Sequence, residues 1–198
     1  MSVNTYLAAD ERSRLERAVV GIAGAGGLGS NVAAHLVRTG VRRLVIADFD
    51  VVSASNLNRQ FFFQDQVGRR KVDALAENLR RIEPDLELSL HDVRIDATNL
   101  LPLFGGCDIV VEAFDNVESK VALLSTLRDR PVVSASGLAG WGHSNEMKVH
   151  RIGENLVLVG DCSSDIRAGL APQSARVGIA AAMQANAVLS LLLRQHEL

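Results

Sequence analysis

The chain has 198 residues, 47% of them hydrophobic, which suits a single domain with a sizeable core. A formal net charge of −2 gives no electrostatic case for nucleic-acid binding, and two cysteines, Cys107 and Cys162, are too few for a disulfide framework. The opening Met1-Ser2-Val3-Asn4-Thr5 carries neither a basic nor an apolar leader stretch. The longest apolar run, 177–193, is interrupted by Gln184, Asn186 and Ser190 and falls short of the ~20 residues of a spanning helix. The expectation is a cytoplasmic protein without a membrane segment, in which that run is a buried helix.

Residues 1–18 are polar with scattered leucines and read as a short helix or arm. Residues 18–23 read as the first strand, followed by the glycine turn Gly24-Ala25-Gly26-Gly27-Leu28-Gly29. A helix over 28–39 follows, with Leu28, Val32 and Leu36 on one stripe and Gly40 as its stop. The second strand is 43–47, and a long polar turn spans 50–64. Val72, Leu75, Leu79 and Ile82 share one face of a predicted helix over 67–82, which Pro84 ends. Residues 86–91 alternate like a strand, 98–104 suggest a short helix, and 108–113 form an apolar run of the parallel-sheet kind. A helix over 117–127 and a strand over 131–136 follow.

This alternation predicts the α/β class, a Rossmann-like doubly wound and mainly parallel sheet. From Glu146 the pattern changes. Residues 147–152 and 156–159 suggest a hairpin around Gly153-Glu154-Asn155, an antiparallel C-terminal extension. A loop over 160–174 leads into the final alanine-rich helix, and no internal repeat is visible. The whole of 1–198 reads as one nucleotide-binding domain.

The glycines have separable physical tasks. Gly24 permits the tight turn, Gly26 lets backbone approach a phosphate, and Gly29 lets the helix pack close to the sheet. The N-terminus of that helix attracts phosphate. Asp48, at the end of the second strand, stands where a ribose-binding carboxylate is expected, with Asp50 close by. An ordinary dinucleotide site has no use for the polar, cationic Ser55-Asn56-Leu57-Asn58-Arg59-Gln60 that follows. The triphosphate of ATP does need cations, and no P-loop signature is present to supply them. Arg59 and Lys71 are the candidates, Arg59 as a fork and Lys71 as a point charge. Lys71 can also be read as part of a solvated helix face. Asp115, closing the apolar strand run, can hold Mg²⁺ or cap the next helix.

Gly-Ala-Gly-Gly-Leu-Gly-Ser, Asp-Phe-Asp-Val-Val, Ser-Asn-Leu-Asn-Arg-Gln, Val-Gly-x-x-Lys-Val and Ala-Phe-Asp-Asn together resemble the ThiF/MoeB family, the bacterial branch of the ubiquitin-activating-enzyme-like fold. The likeness runs from about Val19 to the C-terminal helix and is greatest to the short thiamine-biosynthesis type. It implies that Gly24, Gly26, Gly27 and Gly29 line the phosphate turn and that Asp48 holds the ribose, with Asp50 nearby. It implies that Asn56, Arg59 and Lys71 contact the triphosphate and that Asp115 binds Mg²⁺. The implied reaction is attack by the C-terminal carboxylate of a small ubiquitin-like sulfur carrier, ending in Gly-Gly, on the ATP α-phosphate. A homodimer is implied as well. The chain departs from larger relatives in two respects. It lacks the paired Cys-x-x-Cys motifs, so no structural zinc is expected. It also lacks their N-terminal arginine element, for which Arg12, Arg14 or Arg17 could substitute across a dimer.

Cys162, in a glycine- and serine-bearing loop, is a candidate sulfur-handling thiol, and Cys107 reads as a small core residue. The loop 137–142 could form a channel for a carrier tail or be a plain loop. Three other readings stay open. One is an NAD-dependent oxidoreductase, which leaves Arg59 and Lys71 unexplained. Another is the same fold acting on a tRNA base or a peptide. The third is a non-catalytic module that docks a ubiquitin-like partner.

Overall fold

The computed structural model describes residues 6–164 and 169–193. Seven strands form one sheet in the order β3-β2-β1-β4-β5-β7-β6. The strands are β1 (Val19–Ala23), β2 (Arg43–Ala47), β3 (Glu87–His91), β4 (Ile109–Glu112), β5 (Val132–Ala135), β6 (Lys148–Ile152) and β7 (Leu156–Gly160). All neighbouring pairs are parallel except β6 with β7. The predicted doubly wound sheet and its antiparallel extension are therefore both present.

Helices cover both faces. On one lie α1 (Ala9–Arg17), α2 (Gly27–Thr39), α3 (Lys71–Arg80) and α6 (Ser174–Leu193), which bury Leu15, Val32, Leu36, Leu75, Leu79, Ala181 and Val188 with Val20 and Ile22 of β1. On the other, α4 (Leu100–Phe104) and α5 (Val117–Thr126) bury Leu100, Phe104 and Leu123 against Val110 and Val132. Strands with apolar side chains on both faces need this double cover. Cys107 packs into the second core. Burial pushes its thiol up to about 11, although Arg130 pulls the other way.

The 3.6-residue stripe of α2 is buried as predicted, and the helix ends at Gly40 in the left-handed region (φ 110°). By contrast, α3 begins at Lys71, four residues later than its apolar periodicity predicts. Residues 68–71 are instead tied by backbone hydrogen bonds to the start of the polar turn. Gly68 N–H donates to Val52 O at 2.8 Å, Val52 N–H to Arg69 O at 2.8 Å, and Lys71 N–H to Asp50 O at 3.0 Å. Long-range pairing here overrides local propensity.

α6 is long and apolar enough to cross a membrane by length and composition. It runs 20 residues, longer than its sequence suggests, yet Val177, Ala180, Ala181, Gln184, Ala185 and Val188 are buried inside the fold. It is a core helix, packed against α2 and the sheet.

Candidate nucleotide site

Strand order reverses between β1 and β4. In open α/β sheets, ligands bind at the carboxyl ends of the strands flanking such a point. The glycine turn lies there. Gly24 has φ 101°, and a Cβ on it would stand 2.9 Å from Ala113 O, just beyond β4. A Cβ on Gly29 would meet Gly24 O at 1.8 Å, so only glycine lets α2 start this close to β1. Gly26 differs. Its Cβ would find only Gln60 Nε2, at 3.8 Å, so the space above it is open on the protein side. The first turn of α2 carries no acidic residue to occupy its positive end.

Several of the predicted site residues are linked to this turn. Asp48 Oδ2 accepts the Ala25 N–H at 2.6 Å, and Oδ1 accepts the Asp50 N–H at 2.8 Å. Asp48 thus braces the turn from the end of β2. Asp50 in turn pairs with Lys71 Nζ at 2.7 Å. The lysine side chain is 6% exposed and its partner 48%, so the amine sits on the inner side of the pair. The late start of α3 places it there, and the solvated-face reading of Lys71 does not hold. The stem of Arg59 lies over the turn, with Cγ 3.5 Å from where a Gly27 Cβ would be. Its guanidinium donates to Asn58 Oδ1 at 2.7 Å and to Ser55 O at 3.3 Å. Asn31 Nδ2 fastens the two segments by donating to Gly27 O at 2.6 Å and Arg59 O at 2.9 Å. Asn56 is a turn former: its Oδ1 accepts the Ser53 N–H at 3.1 Å.

Asp115 follows β4 and is exposed. The helix-cap reading goes to its neighbour, since Asn116 Oδ1 accepts the Ser119 N–H at 2.8 Å. Among the described residues the Asp115 carboxylate has no hydrogen bond or ion pair. One residue the sequence did not single out is Gln60. It is buried, and its Oε1 has no partner among the described residues. An amide of this kind beside an open glycine turn fits a polar ligand there.

Other candidates lie elsewhere. Arg14 and Arg17 of α1 line a shallow depression of about 670 Å³ with Ala18, Asp108 and Pro131, at the N-terminal ends of the strands. Neither serves the glycine turn of its own chain. Cys162 is exposed, at φ 57°. The loop 137–142 is a braced turn: Arg176 of α6 donates to Gly142 O and pairs with the buried Asp161, and a Cβ on Gly137 would strike Asp161 Oδ1 at 2.0 Å. Desolvation alone would raise the Asp161 pKa. The Ser164 and Ser163 N–H groups and Arg176 outweigh it and bring it down to about 2.

A Rossmann-like sheet with a glycine turn at its switch point, and Arg59 packed over that turn, define a candidate nucleotide site. The chain matches the ThiF family over residues 2–198 and belongs to it. It is 37% identical over 130 residues to "Adenylyltransferase and sulfurtransferase MOCS3" of Caenorhabditis briggsae, covering 64% of this chain and 32% of that protein. Over 125 residues it is 31% identical to "Ubiquitin-like modifier-activating enzyme 5" of Caenorhabditis elegans, covering 58% of this chain and 30% of that one. The match spans about a third of the length of these curated relatives. Among solved structures it resembles the E. coli tRNA N6-threonylcarbamoyladenosine dehydratase TcdA in complex with AMP. The TM-score is 0.85 at 21% identity, covering 94% of this chain and 90% of that one. It also resembles E. coli MccB with ATP, at TM-score 0.75 and 23% identity, covering 94% and 59%. These two likenesses show the fold.

Proposed function

We propose that this protein is an ATP-dependent adenylyltransferase that activates the C-terminal carboxylate of a small ubiquitin-like protein. The observation that carries the reading is the buried Lys71, set beside the glycine turn through Asp50 and Asp48. A hydride-transfer reading leaves this interior cation unexplained. Joining a carboxylate to a triphosphate does, because two anions must meet. The curated relatives, an adenylyltransferase and a ubiquitin-like modifier-activating enzyme, support the same class.

In this reading the open face of Gly26 and the α2 N-terminus take the phosphates, and Asp48 meets the ribose with the part of its carboxylate that the turn leaves free. Arg59 gives up its contact with Asn58, and Lys71 part of its contact with Asp50, to bind phosphate oxygens. The carrier carboxylate attacks the α-phosphorus. A new bond forms from the carboxylate oxygen to the α-phosphorus, the bond from the α-phosphorus to the oxygen bridging it to the β-phosphate breaks, and pyrophosphate leaves with the electron pair. Among the described residues Asp115 is an unengaged carboxylate, which suits a cation bound by one or two carboxylates and substrate phosphates. It would hold Mg²⁺, which supplies neutralisation of phosphate charge. The finer assignment is a sulfur carrier of the thiamine type ending in Gly-Gly, served by a homodimer.

Intact-mass analysis of such a carrier after incubation with ATP and Mg²⁺ tests the reading. A carrier heavier by one AMP, only when the protein is present, is the expected result. An unmodified carrier under conditions where ATP binds would refute this choice of acceptor.

A further inference from the structure

The crevice floor holds a buried acid that the proposed chemistry does not use. Glu112, the last residue of β4, is fully buried. Both carboxylate oxygens are engaged. Oε1 accepts the Phe114 N–H at 2.8 Å, and Oε2 accepts from Lys120 Nζ of α5 and from Ser134 Oγ of β5. Lys120 also donates to Ala135 O at 2.9 Å, beyond its partner acid. From α6, the buried Gln184 donates to Glu112 O at 3.2 Å and to Val133 O at 3.3 Å. One residue thus ties together the ends of β4 and β5, α5 and the middle of α6, through its carboxylate to β5 and α5 and its backbone carbonyl to α6.

The segment this network encloses is 113–116. Glu112 grips the N–H of Phe114, one residue before Asp115, and Lys120 anchors α5 five residues after it. Asp115 has no side-chain partner of its own among the described residues, so the backbone of this segment decides where its carboxylate stands. Stability alone is a weak reason to keep such a pair. An apolar pair of similar volume often serves a fold as well or better than a buried ion pair.

We infer that Glu112, with Lys120 and Ser134, is a positioning group that holds segment 113–116 so that Asp115 meets the metal bound to the triphosphate. The inference rests on the role given to Asp115 above. Groups behind a metal ligand typically set its affinity by about 10–100-fold.

The test uses the full chain and Mn²⁺ as a paramagnetic stand-in for Mg²⁺. Mn²⁺ binding is titrated by electron paramagnetic resonance with a saturating non-hydrolysable ATP analogue. Calorimetry in EDTA measures binding of the analogue without metal. The double variant Glu112→Leu/Lys120→Met removes both charges together and leaves neither stranded. It is expected to lower Mn²⁺ affinity by about tenfold, with metal-free analogue binding unchanged within about twofold. Lys120→Arg, which keeps the charge and the donors, is expected to retain wild-type Mn²⁺ affinity.

Unchanged Mn²⁺ affinity in the folded double variant overturns the inference. So does an equal loss in metal-free binding, which would mark the network as a support for the whole crevice. If the double variant does not fold, Ser134→Ala takes its place. A severalfold weaker Mn²⁺ affinity is then expected, and no change overturns the inference. Wild-type protein that takes up no Mn²⁺ with the nucleotide overturns it too. A wild type that shows the Mn²⁺ behaviour but modifies no carrier would refute the proposed acceptor and leave the positioning role standing.

Discussion

Gly26→Ala separates a glycine kept for a ligand from one kept for packing. The added methyl meets one protein atom within 4 Å, Gln60 Nε2 at 3.8 Å, but the backbone at φ −83°, ψ −147° lies outside the regions alanine favours, a strain of about 1–3 kcal/mol. Alanine is also a poorer helix cap than glycine, and its lower unfolded-chain entropy offsets only part of these costs. The same methyl stands where a phosphate must approach the turn. Losing one charged N–H···phosphate hydrogen bond costs about 1.5–3 kcal/mol, or roughly 10–100-fold in Kd. Thermal melting and calorimetric ATP titration of the same preparation read both quantities. The expected result is a folded protein whose melting temperature falls by no more than the backbone strain accounts for, with ATP binding, read below that temperature, weakened by that factor. Gly29→Ala is the contrast, because its methyl would stand 1.8 Å from Gly24 O and must displace α2. That variant is expected to lose more stability than Gly26→Ala, because its methyl overpacks against fixed backbone. A stable Gly26→Ala protein that binds ATP as tightly as wild type would refute the phosphate role of the turn.

Further predictions concern the charged groups and the thiols. Lys71→Met removes an ion pair whose acid is half exposed, so stability should fall by no more than about 1 kcal/mol. Turnover should fall by about 10²–10³-fold, and chemical denaturation with pyrophosphate-exchange rates checks both. Asp161, lowered from 3.8 to about 2, contributes about 2 kcal/mol of stability that is present above roughly pH 5 and is lost as pH falls through its folded value. Urea unfolding at pH 6 and pH 3 should therefore show wild type losing more stability than Asp161→Asn as the pH drops. In native protein at pH 8 a maleimide should label Cys162, which is exposed, and leave the buried, high-pKa Cys107 untouched until denaturant is added. Labelling of both thiols in the native state would contradict the packing of Cys107.

What the sequence made legible is local. The stripe of Leu28, Val32 and Leu36, the stop at Gly40 and the hairpin turn at 153–155 each follow from a few neighbouring residues, and each is present. The glycine turn was readable for the same reason. The start of α3 was not, because its apolar periodicity extends back to Val67 while backbone pairing with residues 50–52 claims 68–71. That pairing is also what buries Lys71. Glu112 with Ser134, and Asp161 with Arg176, join residues 22 and 15 apart whose types are common in loops and helices. No spacing marks such pairs, and only the sheet order brings them together. Asp115 and Asn116 were equally suited to cap α5, and geometry alone assigns the cap to Asn116.

The central claim is that this site joins AMP to a carrier's terminal carboxylate. ATP–pyrophosphate exchange with Mg²⁺, run with a ubiquitin-like carrier ending in Gly-Gly and with the same carrier lacking its last glycine, tests it most directly. The account predicts exchange with the intact carrier, none with the shortened one, and loss of exchange in Arg59→Ala and Asp115→Ala. Exchange that ignores the carrier tail, or that survives in both variants, would contradict it.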